Sequence, residues 1–73
     1  MTNLDEFKKS FTNAGLEFEI TEGASYLSND YPMDKKLNYN STLILYETHS
    51  KWYYMEIFFL DGKFVFMQIN ESI

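Results

Sequence analysis

The 73-residue chain has no cysteine, no arginine, a single proline, a single histidine and three widely spaced glycines. Without cysteine there is no disulfide and no thiolate metal site, so two staples that small domains commonly use are excluded. That composition suits a reducing cytoplasm, the expected location. Without arginine the chain lacks the planar fork that reads phosphate and guanine through paired hydrogen bonds. Gly15, Gly23 and Gly62 are too dispersed to build a phosphate-cradling loop. No apolar run approaches the roughly 20 residues that cross a bilayer. Residues 1–6 have neither the basic start nor the apolar stretch of a secretory signal. The N-x-S/T triplets at Asn40 and Asn70 are therefore read as coincidence rather than as glycan acceptors.

Eleven acidic residues face six basic ones, all lysine, for a net charge of −5. Such a chain is a poor direct binder of nucleic acid or of an anionic membrane and suits a basic protein partner. A moderate negative charge also keeps a small domain soluble. An RNA-reading sheet would surround its aromatics with Lys and Arg, whereas the neighbours here are acidic. The abundance of Lys, Asn, Tyr, Phe and Ile matches an AT-rich genome, such as that of a low-GC bacterium or its phage.

Catalytic or metal chemistry has thin support. His49 and Glu47 share a strand face at i and i+2, but two ligands cannot close a zinc site. A Ser–His–acid set drawn with Ser41 or Ser50 has no spacing that distinguishes it from chance. Asn29, Asp30 and Asp34 resemble a fragment of a calcium loop, without its glycine and terminal glutamate. No enzyme activity, cofactor or metal is expected.

Aromatics are plentiful. Seven Phe, six Tyr and one Trp make 19 % of the chain, and they concentrate in its last third. Each can bury roughly 150–250 Å², which matters in a single domain spanning residues 1–73, where only about 60 % of the unfolded surface is hidden on folding.

The local pattern predicts α+β architecture: one N-terminal helix, about residues 3–14, on one face of a mainly antiparallel sheet of four or five strands. Thr2 or Asn3 is the N-cap, and Asn3 with Glu6 has capping-box spacing. Asp5 and Glu6 favour the first turn. Leu4, Phe7, Phe11 and Ala14 form an apolar stripe, and Gly15 marks a left-handed end with Leu16 as its apolar companion. Residues 16–21 alternate as a strand, Glu22–Gly23 reads as a turn, and residues 24–27 as a short second strand. Residues 28–40 have no period and read as the longest loop. A meander of strands at about 42–48, 52–60 and 63–70 closes the chain, with Asp61–Gly62 as a two-residue hairpin turn.

Register counted outward from Asp61–Gly62 pairs Phe59 with Phe64, Phe58 with Val65 and Ile57 with Phe66. It places Tyr53, Met55, Ile57, Phe59, Phe64 and Phe66 on one face, and Trp52, Tyr54, Phe58, Leu60, Val65, Met67 and Ile69 on the other. A two-residue turn at His49–Ser50 adds Ile44 and Tyr46 to the first face, Leu43 and Leu45 to the second. Both faces then read as apolar, and one helix shelters only the first. The second needs a cover: residues 24–40 folding back, a second copy of the chain, or a foreign partner.

These features define the expected function as a non-catalytic interaction module, an acidic inhibitor or adaptor that binds a protein through the second face. Trp52, Tyr54, Phe58 and Met67 are its apolar anchors, and Glu17, Glu19, Glu47 and Glu56 steer a basic partner. A homodimer using that face on itself is the alternative, and a small-ligand pocket between the sheet and residues 28–40 is the third reading.

Overall fold

The computed structural model describes residues 2–29, 35–46 and 53–71. It is an α+β fold: helix α1 (Asn3–Asn13) precedes strands β1 (Phe18–Asn29), β2 (Lys35–Tyr46), β3 (Tyr53–Leu60) and β4 (Lys63–Glu71). The strands pair antiparallel in the order β1-β2-β3-β4, a meander.

Helix α1 starts where the sequence offers a cap. The Thr2 hydroxyl donates to Asp5 Oδ2 at 2.8 Å, the Thr2 N–H donates to the same oxygen at 3.2 Å, and the Asp5 N–H donates back to Thr2 Oγ1 at 3.2 Å. The capping box is therefore Thr2–Asp5, one residue earlier than the Asn3–Glu6 spacing suggested. Asn3 is employed elsewhere: its Oδ1 accepts from the Phe64 N–H at 3.0 Å and ties the helix to β4. The helix ends at Gly15, whose φ of +74° is the left-handed conformation expected there, and the Leu16 N–H then donates to the Phe11 carbonyl at 2.9 Å.

The hydroxyl and N–H of Thr2 hold the Asp5 carboxyl below its ordinary value of 3.8. The folded state thus favours the charged form. Its contribution is complete above pH 3.8 and is lost as the pH falls through the lower folded value. The advantage in thermal midpoint of the wild type over Asp5→Ala should be constant near neutrality and shrink in acid. A gap that stays constant well below pH 3.8 would remove the charged cap from the account.

The core lies between the helix and the middle of the sheet. Leu43, Ile57 and Phe59 are fully buried, with Leu4, Phe7, Phe11, Phe18, Ile20, Leu45 and Met55 packed around them. The Phe7 ring meets Phe59 edge-on at 5.6 Å and stacks on Phe64 at 6.2 Å, while Phe11 reaches Phe18 at 6.2 Å. Ala14, the last member of the predicted stripe, is instead the exposed C-cap. The helix therefore crosses the sheet from the β3–β4 turn toward β1.

The first hairpin departs most from the sequence reading. Residues 24–29 continue β1, and β2 begins at Lys35 rather than near 42, so the expected loop is largely strand. The Glu22–Gly23 turn is a register shift between Glu22 and Ser25, with the pairing resuming at Ser25–Tyr39. Ser25–Asn29 and Lys35–Tyr39 pair with each other while β3 pairs only with Ser41–Tyr46, so this part of the hairpin forms a two-stranded arm. Residues 30–34, which carry Asp30 and Asp34 of the incomplete calcium-loop pattern, lie outside the described part.

Two one-residue shifts reassign the faces. In β2–β3 the pairs are Leu43–Ile57 and Leu45–Met55, so both leucines join the helix side and Ile44 and Tyr46 move to the second face. In β3–β4 the pairs Leu60–Lys63 and Phe59–Phe64 hold as expected. A bulge then skips Val65 and pairs Phe58 with Phe66 and Ile57 with Met67. Past the bulge Phe66 falls on the second face, and Met67 and Ile69 on the helix side. The two faces are consequently unlike. The helix side has the rows Ile20–Leu43–Ile57–Met67 and Phe18–Leu45–Met55–Ile69. The second face is a mosaic rather than a second greasy layer, with the rows Thr21–Thr42–Phe58–Phe66 and Glu19–Ile44–Glu56–Gln68.

Candidate protein-binding face

The middle of the second face is closed by the chain itself. Phe58 is only 3 % exposed, and the Tyr39 ring lies on it at 4.7 Å. Tyr39 belongs to the segment first read as a loop, so the cover over Phe58 comes from the described part of that segment, on β2. Phe58 is thus a core residue, inaccessible as a partner anchor.

The exposed part of this face is aromatic and acidic. Tyr46 and Tyr54 are opposite each other across β2 and β3, with ring centroids 6.1 Å apart. Tyr46 is 49 % exposed, Tyr54 is half-buried, and Phe66 at the sheet edge is 37 % exposed. Alternation along β2 and β3 puts Ile44 and Glu56 beside this pair, and Glu19 lies across β1 from Ile44.

Glu56 is held in place. Its Oε1 accepts from Gln68 Nε2 at 3.2 Å and from Asn70 Nδ2, both on β4. Oε1 is thereby occupied and the carboxylate fixed in orientation. Leu16, Glu17, Phe18, Glu19 and Tyr46 line an open hollow of about 430 Å³ at the start of β1. Two carboxylates and a phenol on one rim suit a cationic side chain. This hollow is not the pocket expected beside residues 28–40.

The sequence-predicted residues divide as follows. Tyr54 and Glu56 lie on the second face as expected, and Glu17 and Glu19 flank its Tyr46 corner. Phe58 is on that face but buried. Met67, 45 % exposed, faces the helix side because of the bulge. Trp52, Glu47 and His49 lie outside the described residues. Tyr46 and Phe66 were missed as second-face residues, since the face assignment rested on a turn length and on an unbroken ladder. Among the described residues no three His, Cys, Asp or Glu side chains come together to hold a metal ion, and no helix is long and apolar enough to cross a membrane. Comparison with protein-family models, with curated proteins and with solved structures finds no match to this chain.

Proposed function

We propose that this chain is a non-catalytic protein-interaction module that binds a basic partner stoichiometrically through the second face of its sheet. The observation that supports it is the Tyr46–Tyr54 ring pair set among Glu17, Glu19 and the oriented Glu56. Tyrosine supplies large contact area at low entropic cost, and the carboxylates draw in and orient a Lys- or Arg-bearing surface. Phe66 extends the apolar part to the sheet edge. The net charge of −5 acts in the same sense over longer range.

The same charges disfavour this face as a self-interface, because two copies would set Glu19 and Glu56 against their equivalents. The inhibitor or adaptor role follows from binding alone and needs no group transfer.

The test is capture of a partner by the full chain, followed by amide shift mapping of the labelled chain with the purified partner. Perturbations should centre on Tyr46, Tyr54 and Phe66. Tyr54→Ala should weaken binding by more than about 1 kcal/mol, and Glu19→Gln with Glu56→Gln should reduce its salt dependence. Perturbations confined to α1, or binding indifferent to all three substitutions, would reject this face.

A further inference from the structure

We infer that two copies of this chain associate edge to edge through β4, antiparallel and centred on Met67, to form one continuous eight-stranded sheet. This edge shares Phe66 with the rim of the aromatic–acidic face but none of Tyr46, Tyr54 or the glutamates, and the inference does not depend on the role of that face. Among the described residues β1 and β4 are the outer strands of the sheet, and no further strand pairs with either. Each edge strand carries one irregularity, after Glu22 in β1 and at Val65 in β4, and the edges differ in charge. Exposed Glu19 and Glu22 lie in the first half of β1, where antiparallel self-pairing centred on either glutamate or midway between them sets glutamates opposite each other. On β4, exposed Phe66, Met67 and Ile69 occupy both faces of the strand, and its only charges are Lys63 and Glu71 at its two ends. Lysines in mid-strand, the usual guard against pairing, are missing.

Those terminal charges select both the occupant and the register. An antiparallel two-fold axis through Met67 sets Lys63 opposite the second copy's Glu71, and Glu71 opposite its Lys63. The same register sets Val65 opposite Ile69 and Phe66 opposite Gln68. A strand that is basic at one end and acidic at the other is complementary to itself when reversed, which gives the isologous contact of a closed dimer. Asn3 caps the first part of the edge by accepting from the Phe64 N–H, so backbone pairing between copies is confined to the segment past the Val65 bulge, and Lys63 reaches the second copy's Glu71 through its side chain alone. Ile69, 64 % exposed in the single chain, and Met67 gain neighbours in the second copy.

Sedimentation equilibrium of the full chain tests this. The wild type should form a reversible dimer within the micromolar range, and Met67→Lys, which puts two cations on the two-fold axis, should be monomeric with unchanged circular dichroism. Lys63→Glu and Glu71→Lys should each weaken the dimer by about tenfold, since each breaks both symmetry-related pairs, and the combined exchange should restore it. If Met67→Lys fails to fold, the charge-exchange set still decides. A wild type that stays monomeric at high micromolar concentration overturns the proposal, as does a dimer that survives Met67→Lys or is not restored by the double exchange. Tyr54→Ala should leave the dimer intact, which separates this outcome from that of the partner-binding face.

Discussion

Phe59→Ala should cost the domain a large share of its stability, about 3–5 kcal/mol. Phe59 is fully buried, touches the Phe7 ring edge-on at 5.6 Å and the Phe64 ring at 6.4 Å, and belongs to the same cluster as Leu43 and Ile57. Truncation of such a ring costs about 3–5 kcal/mol, part of it lost transfer energy and part the cavity left behind. At ordinary stabilities per residue a chain of 73 residues has only about 4–11 kcal/mol in total. With three fully buried large side chains described, neighbours have little material to fill the hole. Ile69→Ala is the contrast: its side chain is mostly in water, and the monomer should change by no more than about 0.5 kcal/mol. Urea unfolding followed by circular dichroism checks both. A Phe59→Ala loss as small as that of Ile69→Ala would show that the helix–sheet layer is not the centre of stability.

Gly62→Ala should cost about 2–4 kcal/mol, far more than its surface position suggests. Asp61 at φ +51° and Gly62 at φ +83° make a turn with two left-handed residues, and a side chain at the second pays about 1–2 kcal/mol for that conformation. The added Cβ would also lie 2.7 Å from Thr2 Cβ and Cγ2, atoms of the helix cap. The cap must shift, which endangers the Thr2–Asp5 bonds and the Leu4 N–H to Gly62 carbonyl bond of 2.9 Å, worth about another 1–2 kcal/mol. Gly15→Ala separates the two causes, because φ is also positive there but no atom lies within 4 Å of the added carbon. In a Thr2→Gly background the Gly62→Ala cost should fall to the conformational part alone. Equal costs with and without Thr2 would mean that the turn and the cap are not in contact.

The helix and the last hairpin were legible because their signals are local. Gly15, the Leu4–Phe7–Phe11 stripe and Asp61–Gly62 each act within a few residues, and the helix and turn fall where those residues placed them. The first hairpin was legible only in part: strand was read at 16–21, at 24–27 and from 42, but neither the continuity of β1 nor the start of β2 at Lys35. A strand is read from alternation, which burial of one face imposes. Beyond Glu22 the two strands pair only with each other, so nothing forces GASYLSN or KKLNYN to alternate. The site was half legible. Tyr54, Glu56, Glu17 and Glu19 could be found from composition and strand parity. Parity is lost at each irregularity, and the shift at Val65 and the one-residue difference between β2 and β3 moved Met67, Leu43 and Leu45 to the helix side. The closeness of Tyr39 to Phe58 depends on the path of the arm, which no local pattern encodes.

The extra residue at Val65 has a wider consequence. Loss of one amino acid at this position leaves a regular ladder in which Phe58 still faces Phe66 and Ile57 still faces Met67. Straightening the strand with Val65 retained does the opposite: Val65 takes the place beside Phe58, Phe66 turns under the helix, and methionine and isoleucine join the tyrosines on the opposite surface. The margin of the molecule therefore keeps its character through a one-residue deletion and changes it when the kink is lost, while the pairs Leu60–Lys63 and Phe59–Phe64, on which the C-terminal hairpin is built, are spared either way.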